Sequence, residues 1–332
     1  MWRRLLCFGI CFALVAGVRA AMNPDVLKVG GVYSIGEQHG PVKRVALEKV
    51  RFSFPLGVPV PRTRYRALEN EYDRKGQLLL RMSYYGYEKQ SGYGTYEYVR
   101  DAVGRVIEEV HGSDSFPRSF SIRSTYDDNG NCIEKTGVNN QGDVFSRQRF
   151  DYDAHGRCIV DLAMQRDGTV QRTVRYSYED DEAAKPSEAA YYDQHDQLER
   201  RIAYEYTDTG EIASATVRNS VGAVESKTTN TYDDEGDLVR TVTKRGQGGY
   251  SSRCNKQGDV VETAVYDNKG KLVVRSVRVY TYDEHGNWTQ CVELRTTLLI
   301  GGKLIMTPYE FSFQKIEYYE DEDAAPEAKE PQ

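Results

Sequence analysis

Helix-forming signals are what this sequence most clearly lacks. No long stretch places apolar residues at helical spacing, and methionine is scarce, 5 in 332 residues, which excludes a helix-built core. The apolar run Leu5 to Gly17 stops at 13 residues, short of the roughly 20 that a spanning helix needs. Two of the six cysteines, Cys7 and Cys11, lie inside that run, and no Cys or His spacing matches a zinc site. Gly-x-Ser-x-Gly, His-Glu-x-x-His and a phosphate-cradling loop are all missing. Carboxylates are scattered so evenly that no pair stands out as an acid and a base. No catalytic residue, cofactor or metal is therefore expected, and the chain reads as non-enzymatic. A nucleic-acid partner is excluded as well, because 44 Lys+Arg face 50 Asp+Glu and no basic face emerges.

The chain opens with Met1-Trp2-Arg3-Arg4, continues through the apolar run, and reaches Val18-Arg19-Ala20. That is the pattern of a secretory signal peptide over residues 1–20, cut after Ala20. Removing it takes away Arg3, Arg4 and Arg19 and no acid, leaving 41 basic against 50 acidic residues, a net charge of −9. Of this, −5 sits in residues 320–332, which read as an acidic disordered tail. The protein is expected in the periplasm, at the cell surface or secreted.

Between these ends the sequence is rich in tyrosine (25) and glycine (29). A ruler runs through it: glycines 76, 104, 130, 142, 156, 168, 210, 222, 236, 258, 270 and 286, with Asp196 in the same slot. Two residues after each of these thirteen sites stands an apolar residue, and four before it stands Tyr in eight cases. An Asp three before the Gly favours a type I turn whose last residue is left-handed, so each site reads as the tip of a β-hairpin. The clearest copies are Tyr126-Asp127 with Gly130, Tyr152-Asp153 with Gly156, Tyr232-Asp233 with Gly236, Tyr266-Asp267 with Gly270, and Tyr282-Asp283 with Gly286 and Trp288. In that register Asp283 faces Asn287 and Tyr282 faces Trp288; Tyr126 meets Cys132, Tyr152 meets Cys158, and Tyr266 meets Leu272.

Every interval along the ruler is even, from 12 to 28 residues, which by simple alternation keeps Tyr on one face throughout. Further tips are expected near Gly92 and Gly94, at Ser113 to Pro117, Asp180 to Ser187 and Gly246 to Gly249. The fold class is all-β, a repetitive antiparallel hairpin meander of roughly 16 to 20 strands, too many for one flat sheet. It is expected to curl or spiral. Residues 21–70 would cap the repeats at one end and the strands near Leu298 to Phe313 would close the other, leaving 71–319 as the repeat domain.

The motif Tyr-x-Tyr-Asp-x-x-Gly-x-apolar, as in Tyr280-Thr281-Tyr282-Asp283-Glu284-His285-Gly286-Asn287-Trp288 and Tyr204 to Ile212, resembles YD-repeat proteins of the rearrangement-hotspot type over residues 70–290. That resemblance implies a long antiparallel sheet wound into a spiral or shell on an exported protein. The chain is too short for such a shell to close, and several copies lack Tyr, Asp or Gly. No toxin domain is read after the repeats, so toxin delivery is not carried over.

Smaller features are expected to be structural. Cys132 and Cys158 occupy an apolar slot two strands apart, about 10 Å and beyond disulfide reach, while pairing of Cys254 with Cys291 stays open. His155, His195 and His285 precede their turn residues and read as tip residues, and Asp127-Asp128-Asn129-Gly130 lacks the spacing of a calcium loop. Strand 238–244 carries charges that no lipid-facing band would tolerate. The functional expectation is a structural or protein-binding scaffold of the cell envelope, partner unknown. The alternative is a glycan-binding or adhesin-like module, which predicts that tyrosines outside the repeat slots gather in one groove.

Overall fold

The computed structural model describes residues 35–36, 38–55, 58–86, 92–298 and 304–320. The signal peptide and the acidic tail beyond Glu320 lie outside the described residues. The strands are β1 (Val42–Ser53), β2 (Val60–Pro61), β3 (Tyr65–Tyr72), β4 (Leu78–Tyr85), β5 (Gly92–Arg100), β6 (Val106–Ser113) and β7 (Phe120–Tyr126). Then come β8 (Cys132–Asn139), β9 (Val144–Tyr152), β10 (Cys158–Gln165), β11 (Val170–Ser177), β12 (Glu188–Tyr192), β13 (Leu198–Tyr206) and β14 (Ile212–Asn219). The last are β15 (Val224–Tyr232), β16 (Leu238–Arg245), β17 (Gly248–Cys254), β18 (Val260–Tyr266), β19 (Leu272–Tyr282), β20 (Trp288–Leu298) and β21 (Leu304–Tyr318).

Local chemistry explains the hairpins. At every site of the ruler the residue carries a positive φ, from 74° to 90° at the glycines and 57° at Asp196. That is the left-handed conformation glycine adopts freely and Asp tolerates. The Asp three before it does more than start the turn. In the hairpin of Asp283, the carboxylate accepts the N–H of His285 (3.0 Å) and of Asn287 (2.9 Å), satisfying two tip donors that the ladder leaves over. Asn139, Asn219 and Asn255 accept the same pair of amides in their hairpins.

Each strand from β3 onward pairs antiparallel with the next as far as β21, and β1 pairs with both β3 and β21. The sheet is therefore a closed barrel of 20 strands, with the two-residue β2 an appendage on β1. This corrects the expectation of an open curl or spiral. The segments assigned to opposite ends of an array meet each other instead, and closure leaves no free edge to cap. The tip expected near Gly92 and Gly94 falls between β4 and β5, just before Gly92; Gly94 itself lies in β5, faces Ser83 and sits against the Tyr85 hydroxyl.

Closure depends on a second irregularity that the spacing conceals. Beside each of the thirteen closing pairs the register slips by one: Tyr282 faces Trp288, yet Thr281 faces Gln290. The same slip follows Tyr126/Cys132, Tyr152/Cys158, Tyr232/Leu238 and Tyr266/Leu272. A bulge on the second strand of each of these hairpins reverses the alternation, so an interval of 12 to 16 residues moves successive closing pairs to opposite faces, while an interval of 22 to 28, which holds a further hairpin without a bulge, keeps them on one face. Following the pairs around the ring puts Tyr126, Tyr152, Tyr232 and Tyr282 on one face. Tyr192 and Tyr266, whose hairpins cap the other rim, fall on the opposite face. Tyr was expected on one face throughout, and the bulge is why it is not.

On β19 and β13 exposure tells the faces apart. On β19, Ser276 and Arg278 are buried beside half-buried Tyr280, whereas Arg275 and Val279 are exposed. The same alternation runs along β13, with Arg201 and Glu205 exposed and Ile202, Tyr204 and Tyr206 half-buried. Side chains converge on the concave side of a closed sheet, so the second set lines the lumen. Twenty strands about 4.8 Å apart give a perimeter of roughly 100 Å, too wide to be filled by side chains alone.

Candidate functional site

The lumen wall collects most of the aromatic residues. Along the rim of Gly130 and Gly156, six wall tyrosines reach sideways to the neighbouring hairpin. Tyr126, Tyr152, Tyr178, Tyr206, Tyr232 and Tyr280 donate to the carbonyls of Val106, Cys132, Cys158, Pro186, Ile212 and Val260, at 2.7–3.1 Å. Every step is 20 residues back, which joins the end of one hairpin to the start of the one before. A half-buried phenol needs such a partner, and burial pushes the hydroxyl pKa of all six above the ordinary value. Arg105 and Arg157, each one after a turn Gly, lie over the rings of Tyr126 and Tyr178 at 4.7 and 4.3 Å.

Where the ring closes, polar groups replace apolar ones. Asn287 is 1% exposed: its Nδ2 donates to His39 O (2.7 Å) and Tyr318 Oη (2.8 Å), and its Oδ1 accepts from His39 N (2.7 Å). Tyr318 in turn donates to Asp283 at 2.5 Å, and the His285 ring lies 4.3 Å from that of Tyr318. Gln314 donates to Ile35 O at 2.6 Å, placing the chain before β1 against the wall of β21. Nearby, Tyr282 donates to Asp259 (2.8 Å) and accepts from Asn255 (2.6 Å), and burial raises the Asp259 carboxyl above the usual carboxylate value.

Deeper in the wall, Glu310 accepts from Lys49 (2.8 Å) and Arg51 (3.3 Å) across the β1–β21 junction. Glu293 is held by Arg278 (3.1 Å) and Arg295 (2.8 Å). Burial lowers the Lys49 ammonium pKa against the opposing pull of Glu310. With two cations on each carboxylate, these groups are buried as networks.

The sequence-derived turn residues divide between the rims. Tyr126, Asp127, Gly130, Tyr152, Asp153, Gly156, Tyr232, Asp233, Gly236, Tyr282, Asp283, Gly286 and Trp288 lie on the rim where residues 41 and 319 also meet. Tyr266, Asp267 and Gly270 lie on the other. His195 is on the rim opposite His155 and His285, and no described group of His, Cys, Asp or Glu has the arrangement of a metal site. His285 is no plain tip residue, since Tyr318 and Gly40 pack on it.

Cys132, Cys158, Cys254 and Cys291 are all free thiols. Cys254 on β17 and Cys291 on β20 are three strands apart, about 14 Å and out of bonding range. Burial raises the Cys158 thiol to about 11 and that of Cys291 to about 12, which keeps both protonated and unreactive at neutral pH. Sequence reasoning paired Asn287 with Asp283 but not with His39 or Tyr318, and it passed over Asp259 and the wall cations. The position after a turn Gly holds Arg, Gln, Asp, Thr, Glu, Ala, Lys and, at 131, Asn elsewhere, so nothing local marks Asn287.

No protein-family model matches the chain, and no curated protein matches it. Solved structures with some likeness include a porin-like protein from Bacteroides uniformis, 11% identical over 84% of this chain and 98% of that one, TM-score 0.37. A porin-like protein from Bacteroides vulgatus is 8% identical over 84% and 98%, TM-score 0.27. TcdB2-TccC3 without its hypervariable C-terminal region is 12% identical over 80% of this chain and 16% of that one, TM-score 0.34. At such scores no role passes from these proteins to this one.

Proposed function

We propose that this chain is an exported, non-enzymatic scaffold of the bacterial cell envelope, a water-soluble barrel that engages its partner through the lumen wall. The carrying observation is the distribution of side chains: aromatics gather inside, and ladder positions outside hold Arg201, Arg218, Lys227, Arg240, Lys244 and Arg275. A single Arg or Lys facing lipid near the bilayer midplane costs about 2–4 kcal/mol, so this outer face opposes membrane insertion. Residues 1–20 supply the export signal.

The partner is a protein or a glycan. One observation favours the glycan: Tyr176, Tyr191 and Tyr204, none of them in the slot four before a turn residue, face the lumen on the successive strands β11, β12 and β13. Fractionation of cells expressing the full chain tests the scaffold reading. Protein beginning at Ala21 in the periplasm or medium supports it; protein retained in membranes after a high-salt wash contradicts it. Pull-down from an envelope extract separates the partners, and capture by polysaccharide but by no protein removes the protein-binding version.

A further inference from the structure

The lumen wall is basic although the chain is acidic. At ladder-paired lumen positions ten Lys or Arg stand against four acids, Glu109, Asp161, Glu293 and Glu310. Three of these acids are engaged, Asp161 by Gln148 (2.8 Å) and Glu293 and Glu310 by the cation pairs described above, while Glu109 lies 2.8 Å from His111 Nε2. Several cations are not matched in this way. Arg81 donates to Asn70, and Arg200 lies 4.5 Å over the Tyr191 ring. Lys135 and Arg245 form no ion pair among the described residues.

One sector combines charge with flat apolar surface. Arg200 faces Tyr191 directly across β12 and β13, Tyr176 faces Ala189, and Tyr204 faces Ala215. Ala189 is fully buried beneath its neighbours and Ala215 is half-buried. Stacked aromatic faces suit the C–H faces of a pyranose, and a guanidinium fork suits a carboxylate. A neutral sugar would leave Arg200 without a counterpart. We infer that the β11–β13 sector of the lumen binds an acidic glycan, a uronate-containing oligosaccharide whose carboxylate meets Arg200 while its rings lie against Tyr191 and Tyr204. This rests on the glycan reading of the lumen proposed above.

The test is calorimetric titration of the full mature chain with hexagalacturonate and, separately, with cellohexaose. Hexagalacturonate should bind, more weakly at about 0.5 M salt, where exposed charges are screened, and cellohexaose should bind at least about tenfold more weakly. Arg200→Gln should lose about tenfold or more in affinity for hexagalacturonate, while Arg218→Gln on the outer face should not change it; matching melting curves would show that both variants fold. Equal binding of the two sugars, or an unchanged Arg200→Gln, overturns the acidic assignment and leaves the glycan reading standing. Absence of binding to either sugar overturns both. Binding that appears only after residues 321–332 are removed assigns the wall to the chain's own acidic tail and likewise overturns the inference.

Discussion

Replacing Asn287 with Ala should weaken the protein far more than its place in a surface hairpin suggests. The side chain makes three hydrogen bonds, two to the backbone of His39 and one to Tyr318, and is almost wholly buried. Truncation removes both bonds to the His39 backbone, each contributing about 0.5–1.5 kcal/mol. Together with the released Tyr318 contact, the expected loss is about 2–4 kcal/mol. Asn131 holds the same place after Gly130, but its Nδ2 makes a single 2.9 Å bond, to Asp127, so Asn131→Ala should cost about 1 kcal/mol. Guanidinium denaturation of both variants measures the difference, provided the two transitions keep one slope. Equal midpoint shifts would refute the claim that Asn287 ties the chain before β1 to both β20 and β21.

Gly286→Val forces a β-branched residue to a φ of 85°. No heavy atom lies within 4 Å of the added Cβ, so the loss of about 1–3 kcal/mol is backbone strain alone. His285→Ala should cost about 1 kcal/mol through the ring contact with Tyr318, and thermal melts would show whether the order is reversed. Asp259→Asn should raise the melting temperature at pH 7. Burial raises the folded carboxyl pKa, so ionisation opposes folding above that pKa, and stability recovers as pH falls through it. The gain should therefore shrink toward pH 4, and a variant less stable than the parent at pH 7 would contradict the account.

The all-β antiparallel meander was legible because its signal is local. A left-handed residue after a short Asp-led turn leaves few options besides Gly, so Gly130 or Gly286 announces its own geometry. Closure was not legible. Whether β1 pairs with β21 depends on accumulated twist and bulges, and the bulge beside Tyr282/Trp288 carries no residue type of its own: its extra residue is Thr289 there but Ile133, Ile159 or Val273 elsewhere. Unable to see that bulge, simple alternation put Tyr266 on the wrong face. The wall cations were hidden for the same reason, since Arg200 and Arg201 look alike until the register shows that one faces the lumen and the other solvent. The seam groups His39, Asn287 and Tyr318 are as much as 279 residues apart along the chain, and no spacing rule could join them.

Amide hydrogen exchange over residues 44–49 and 310–313 tests the closed ring most directly. In the barrel these stretches of β1 and β21 bond to each other's strand and to β3 and β20 respectively, so amides on both sides are held and protection should match that of β9 and β10. In an open meander both strands would be edges, and alternate amides would face water. Protection along the full length of both segments is the predicted result. Fast exchange of every second amide in either one would contradict closure.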